Sequence, residues 1–238
     1  MRDDYILLVL GTRRSGKSTV TFGGSPLGEG IVDHGRAGSR DFIYDERGVV
    51  PGRSEWLRWE RAARLHKWLS AEAGGQIPER KRPGAYYFRP ALSQSKAEFW
   101  NLVAPGEGHG GRLKPGIAGT YYIDEAHNLA PATAKTNADF EEAISTGGNY
   151  GMSFVLLTRR YKQLDRTVRT QASAILSFAQ PREDAQALEK EFDRRASVTA
   201  ELEGHEFTLL GDRPGELPQR EWLRGLGTYR GPDSKTVQ

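Results

Sequence analysis

The sequence predicts a doubly wound α/β domain, a mostly parallel central sheet flanked by helices, on three observations. Short apolar runs alternate along the chain with segments of helical pattern. The first run, Tyr5-Ile-Leu-Leu-Val-Leu10, is apolar at consecutive rather than alternate positions, as in a strand buried on both faces. It ends at a turn, Gly11 to Thr19, that opens into a short apolar segment closed by Gly23-Gly24.

The elements follow in order. Asp41-Phe-Ile-Tyr-Asp45 reads as a second strand, followed by a Gly/Pro turn from Gly48 to Gly52. Ser54 to Ala73 reads as a helix, with Ser54 as N-cap, Arg58, Arg61 and Arg64 recurring every three residues, and Gly74-Gly75 as its stop. Ala85-Tyr-Tyr-Phe88 is a strand candidate and Ser95 to Val103 a short helix. Gly106 to Gly119, with six glycines, reads as a loop. Strands are expected at Thr120–Asp124, Ser153–Thr158, Ala174–Phe178 and Glu206–Leu210. Helices are expected at Asp139–Ser145 and Arg182–Arg195, and the polar end from Gly225 to Gln238 reads as a tail.

At 238 residues and 37% hydrophobic content the chain can bury a sizeable core. It has no cysteine, which excludes disulfides, thiolate metal sites and Cys nucleophiles. The longest apolar run, Tyr5 to Leu10, is far short of the roughly 20 residues that cross a bilayer. The opening Met1-Arg-Asp-Asp4 lacks the form of a signal peptide, so a soluble intracellular protein is expected. Net charge is only +3, yet arginine outnumbers lysine 25 to 9. Guanidinium favours planar, bidentate contact with phosphate or carboxylate, so a nucleic-acid partner is permitted; an arginine-rich codon bias would give the same composition. His34, His66, His109, His127 and His205 show no metal-ligand spacing and read as surface or hydrogen-bonded residues.

Gly11-Thr12-Arg13-Arg14-Ser15-Gly16-Lys17-Ser18 matches the phosphate-binding loop at every defined position, directly after a buried strand and opening a helix with Thr19. The glycines let backbone N–H groups turn inward at a helix N-terminus, where the dipole favours anions. Lys17 is expected to reach the β- and γ-phosphates of ATP, and Ser18 to ligate Mg²⁺. Tyr121-Tyr-Ile-Asp124-Glu125 supplies the second element, a strand ending in two adjacent carboxylates. Asp124 is the expected Mg²⁺ carboxylate, and Glu125 the residue that orients and deprotonates water. Thr158, Arg159 and Arg160 end a further strand, and Thr158 or Arg159 fits a γ-phosphate sensor.

The order of these motifs resembles the FtsK-HerA superfamily of DNA-pumping ATPases. The resemblance rests on the phosphate loop, Ile43-Tyr-Asp45-Glu-Arg-Gly48, Ile123-Asp-Glu-Ala-His127 and Gly151-Met-Ser-Phe-Val-Leu-Leu-Thr-Arg-Arg-Tyr-Lys-Gln-Leu-Asp165. That superfamily ends the corresponding strand in Thr-Gln-Arg-Pro followed by Leu-Asp, which Thr158, Arg160, Leu164 and Asp165 match. Leu202 to Gly211 is similar to its closing strand. The resemblance spans about residues 5–211, with 50–118 least matched. It implies a single RecA-like P-loop (ASCE) domain over residues 1–211, an insertion at 50–118, and an extension or tail at 212–238.

Two positions depart from the family pattern. Arg159 stands where the sensor glutamine is usual, and Gly148 where many members carry an arginine that reaches the neighbouring subunit's nucleotide. The trans-acting arginine is then sought among Arg159, Arg160, Arg166 and Arg169. The small size is most similar to the genome-packaging ATPases of membrane-containing icosahedral viruses. It implies a ring, hexamer or pentamer, acting on double-stranded DNA at a capsid vertex or beside membrane-associated virion proteins, in the virion or host cytoplasm. DNA contacts are sought at Arg80-Lys81-Arg82 and on the Ser54–Ala73 helix. The alternatives are an assembly or secretion ATPase of the zonula occludens toxin-like group, and a P-loop kinase. A DEAH-type helicase is excluded by length, since it needs two such domains.

Overall fold

The computed structural model describes residues 4–24, 27–34, 40–45, 50, 57–59, 84–89, 99–101, 103–107, 113–114, 118–211 and 217–231. Its strands are β1 (Ile6–Leu10), β2 (Arg40–Tyr44), β3 (Leu57–Trp59), β4 (Gly84–Phe88), β5 (Gly106–Glu107), β6 (Leu113–Lys114), β7 (Gly119–Ile123), β8 (Met152–Thr158), β9 (Ala174–Phe178) and β10 (Phe207–Leu210). The α-helices treated below are α1 (Lys17–Phe22), α2 (Ala138–Thr146), α3 (Arg166–Thr170), α4 (Arg182–Glu191) and α5 (Arg220–Gly225).

Eight strands form one sheet in the order β10-β9-β1-β8-β7-β2-β4-β3. Every neighbouring pair is parallel except β10 with β9. β8 therefore lies between the phosphate-loop strand β1 and the acidic strand β7.

The consecutive apolar runs exist because both faces of the central strands are covered. Ile6, Leu8 and Leu10 point into one core cluster, and Leu7 and Val9 into the other. Phe154 and Leu156 of β8 likewise oppose Val155 and Leu157. The first face is packed by α2, α3 and α4 through Phe140, Val168 and Leu188; the second by α1 and α5 through Val20, Phe22 and Leu223. Stacked rings reinforce the first face, with Phe42 and Tyr121 centroids 4.8 Å apart and Tyr121 and Phe154 5.4 Å apart.

Four expectations need correction. Leu57–Trp59 is a strand, not part of a helix, because it pairs in parallel with β4, Leu57 opposite Tyr86 and Trp59 opposite Phe88. The Gly106–Gly119 stretch is not wholly loop, since β5 and β6 pair antiparallel within it. The end of the chain is not a free tail from Gly225 on. Leu217 and Leu223 are buried in the second core, Gln219 Nε2 donates to Tyr5 Oη at 3.0 Å, and Arg230 N donates to Phe207 O at 2.8 Å. α4 ends at Glu191 rather than Arg195, and residues 192–195 form a turn. The rest of the expected 54–73 helix and Arg80-Lys81-Arg82 lie outside the described residues.

The sheet's two ends differ. At the starting end of β2, burial pushes the Asp41 carboxyl up to about 7 from the ordinary 3.8; the neighbouring Tyr122 hydroxyl opposes the rise, and Asp33 adds to it. Because the folded-state value is raised, the contribution of this group to stability is full below about pH 4 and is lost as pH climbs through about 7. Asp41→Asn is expected to flatten the fall in thermal midpoint between about pH 4 and 7, on the order of several degrees for a domain of this size. An unchanged slope would show that Asp41 does not carry the pH dependence.

Candidate active site

The chemistry-bearing residues collect at the other end, where β1, β7 and β8 finish. Gly11 N donates to Thr158 O at 3.2 Å, so the loop departs pinned to the end of β8. The loop then curls tightly: Arg14 has φ 67° and Gly16 φ 104°. Glycine is required at 16, since a Cβ there would be strained and would also stand 3.3 Å from both His205 Nδ1 and Phe178 Cε1. At Gly11 a Cβ would overlap the Ser15 hydroxyl and come within 2.9 Å of Phe178 Cβ. The β9–β10 region thus forms a floor under the loop, with His205 Nδ1 3.1 Å from Ser15 O.

Thr12, Arg13 and Arg14 are exposed, Ser15 is buried, and Lys17, Ser18 and Thr19 are half-buried on the first turns of α1. The Lys17 ammonium folds back over the loop, donating to Gly11 O and, at 3.0 Å, to Thr12 O. Burial lowers its pKa, Asp124 and Glu125 pull it back up, and Arg159 adds to the lowering. The structure therefore brings Lys17, Asp124, Glu125 and Arg159 into one electrostatic neighbourhood.

Asp124 follows β7, with its N–H donating to Tyr44 O at 3.2 Å. Burial raises its carboxyl to about 6 from 3.8, and Glu125 and Asp45 raise it further, against a backbone hydrogen bond from Glu125 and the Lys17 charge. Asp45 itself is an anchor: fully buried, its Oδ2 accepts from Val50 N at 2.8 Å and Tyr87 Oη at 2.7 Å, tying β2 to β4. A crowd of acidic groups facing one ammonium suits a hard divalent cation. Ser18 and Asp124 carry oxygen donors of the kind that could hold Mg²⁺. No cluster of three or more His, Cys, Asp or Glu among the described residues would hold a metal unaided.

Glu125 occupies a left-handed backbone conformation, φ 53° and ψ 45°, which turns its side chain out of the strand direction that Asp124 follows. Its Oε1 accepts from Arg159 Nη2 at 2.8 Å and Nε at 3.3 Å. Its Oε2 stands 3.3 Å from His127 Nε2, and His127 Nδ1 stands 3.2 Å from Thr158 Oγ1. Sequence reading missed His127 as a functional residue, because a histidine two positions after an acidic pair carries no periodic or metal-ligand signal.

The other residues at the end of β8 are engaged elsewhere. Arg160 Nε donates to Asp184 Oδ2 at 2.7 Å, and its Nη2 pairs with Glu183, so this residue clamps α4 rather than joining the Glu125 group. Arg169 pairs with Glu191 at 2.9 Å and lies over the Tyr161 ring. Leu164 is core, and Asp165 caps α3 by accepting from Thr167 N at 2.8 Å. The Leu-Asp pair noted in the sequence is therefore structural. Arg166 is exposed on the first turn of α3, without an ion pair among the described residues. At Gly148 a Cβ would meet the Asp4 carboxylate, which must shift to admit any side chain there.

Fold and loop together define a P-loop domain of the RecA-like α/β class. No protein-family profile matches the chain, and no curated protein matches it. Among solved structures it is similar to the genome-packaging NTPase B204 of Sulfolobus turreted icosahedral virus 2 in complex with ATPγS. That likeness has a TM-score of 0.62 and 16% identity, covering 88% of this chain and 92% of that one. It is also similar to B204, the DNA-packaging ATPase of Sulfolobus turreted icosahedral virus, with a TM-score of 0.56 and 20% identity over 88% and 93% of the two chains. At such identities the likeness is one of fold, and this chain has the fold of those ATPases.

Proposed function

We propose that this chain is an ATP-hydrolysing DNA translocase of the viral genome-packaging kind, within the FtsK-HerA superfamily, working as a ring on double-stranded DNA with Mg²⁺ as cofactor. One observation carries the reading: a carboxylate, Glu125, stands beside a complete phosphate loop and is held by a guanidinium from the strand between them. The fold it shares with an NTPase determined with ATPγS supports the nucleotide. The proposed place of action is the virion or the host cytoplasm; no described helix is long and apolar enough to cross a membrane.

In this reading Lys17 binds the β- and γ-phosphates, and Ser18 and Asp124 hold Mg²⁺, which would neutralise developing charge on the phosphates. Glu125 takes the proton of the attacking water through Oε1, the oxygen that Arg159 now covers. Arg159, with 40% of its side chain exposed, is within reach of a ligand and exchanges the carboxylate for the γ-phosphate. Of the four arginines considered for action in trans, Arg166 alone is exposed and unpaired among the described residues, so the role falls to it.

The deciding experiment is ATP turnover with and without double-stranded DNA, over protein concentrations that span ring assembly. DNA is expected to stimulate turnover, with an effect that falls steeply as salt rises, because backbone phosphate contacts release counterions. Turnover indifferent to DNA at every concentration would favour an assembly ATPase; phosphate transfer to a small molecule would favour a kinase.

A further inference from the structure

We infer that His127 is a positioning residue for hydrolysis, joining Thr158 at the end of β8 to Oε2 of Glu125 and so fixing where the other oxygen of the base can point. The inference rests on the hydrolytic reading of Glu125.

Glu125 leaves β7 in a left-handed turn, and the short helical turn Ala126–Asn128 follows at once, closed by Asn128 N donating to Glu125 O at 2.8 Å. That turn brings His127 back alongside the carboxylate two residues before it. Nε2 approaches Oε2 to 3.3 Å, an ion-pair distance, and because an ionised carboxylate only accepts, closing that approach into a hydrogen bond requires the proton on Nε2. In the neutral ring Nδ1 is then an acceptor, and the Thr158 hydroxyl, 3.2 Å away, is a donor that suits it. Thr158 is itself fixed, 1% exposed, with its carbonyl accepting from Gly11 N at 3.2 Å. A continuous chain of contacts thus runs from the phosphate loop through Thr158 and His127 to the base.

The division of labour on the carboxylate follows. Oε1 holds Arg159, a donor that a triphosphate can draw away. Oε2 faces a donor on the base's own turn, which stays when Arg159 leaves. The side chains of His127 and Glu125 are only 19% and 15% exposed, so water is poorly placed to replace a lost ring contact. Without His127 the freed carboxylate would rotate, and the fraction of time that Oε1 faces water would drop.

The test compares kcat, KM and binding of a fluorescent ATP analogue in wild type, His127→Ala, His127→Gln, Thr158→Val and Glu125→Gln. His127→Ala is expected to lower kcat about tenfold to a hundredfold, part of what a general base supplies, with analogue affinity retained. KM should stay within about twofold, the signature of an interaction that matters in the transition state rather than in binding. His127→Gln, whose amide N–H reaches the same oxygen, should recover most of the loss. Thr158→Val should lower kcat less, and adding it to His127→Ala should cost nothing further.

Wild-type kcat in His127→Ala, or equal losses in the alanine and glutamine variants, would overturn the inference. Should the alanine variant fail to fold, an unchanged kcat in Thr158→Val would do the same. If Glu125→Gln turned over like wild type, the hydrolytic reading itself would fall; an inactive Glu125→Gln beside a fully active His127→Ala would sink the role of His127 alone.

Discussion

Glu125→Gln is expected to bind ATP with near wild-type affinity and to turn it over about 10² to 10⁴ times more slowly, the range a positioned general base contributes. The amide keeps the shape of the carboxylate but has no basic lone pair of comparable strength. It also removes the negative charge that now holds the Arg159 guanidinium at 2.8 Å. Arg159 is then released toward the phosphates, so affinity is preserved or slightly raised while chemistry stops. Phosphate release under saturating ATP, set beside direct titration of an ATP analogue, separates the two quantities. A glutamine variant with wild-type turnover would remove Glu125 as the base and, with it, the central assignment of the site.

Lys17→Ala is expected to abolish nucleotide binding at ordinary concentrations. The ammonium sits half-buried where the loop's carbonyls gather, and its charge is opposed by a single guanidinium and supported by two carboxylates. Truncating one member of such a desolvated charge contact costs about 2 to 5 kcal/mol, which is about thirtyfold to several thousandfold in affinity. Lys17→Arg should not rescue it, because a planar fork cannot replace a compact ammonium between Gly11 O and Thr12 O. Equilibrium titration with an ATP analogue decides the matter. Affinity retained in the alanine variant would mean that the phosphates lie elsewhere.

The central sheet was legible because its residues answer to local rules. Ile6–Leu10 and Met152–Thr158 are buried on both faces, so each announces itself as an unbroken apolar run. The phosphate loop was legible for a related reason: its backbone path constrains residue types at fixed spacing, as the positive φ of Gly16 shows. Leu57–Trp59 was not legible, since three residues beside a row of arginines imitate the start of a helix and only pairing with β4 decides between the two. The return of residues 217–231 to the sheet escaped notice because its apolar residues, Leu217, Trp222, Leu223 and Leu226, are broken up by Pro218, Gly225 and charged residues, too short a run to form a pattern.

The candidate site divides in the same way. Lys17, Ser18, Asp124 and Glu125 were marked by motif and by order along the chain. The contact between Arg159 and Glu125, and the ring of His127 between Glu125 and Thr158, join residues about thirty positions apart. No spacing rule speaks to such distances. Arg160 matches the family pattern in sequence yet serves α4, and Leu164-Asp165 serves the core and a helix cap. A sequence match therefore marks a position without stating its task.

The ion pair between Glu125 and Arg159 also bears on how such a machine rests. An engine that burns fuel while unloaded dissipates it as heat, so its quiescent rate matters as much as its top speed. Here the group that would activate water is occupied by a partner from the adjacent strand, within one polypeptide, at 2.8 Å. For an enzyme of the proposed kind, idling is then governed inside each subunit, and only the arrival of a more highly charged competitor for Arg159 takes the brake off.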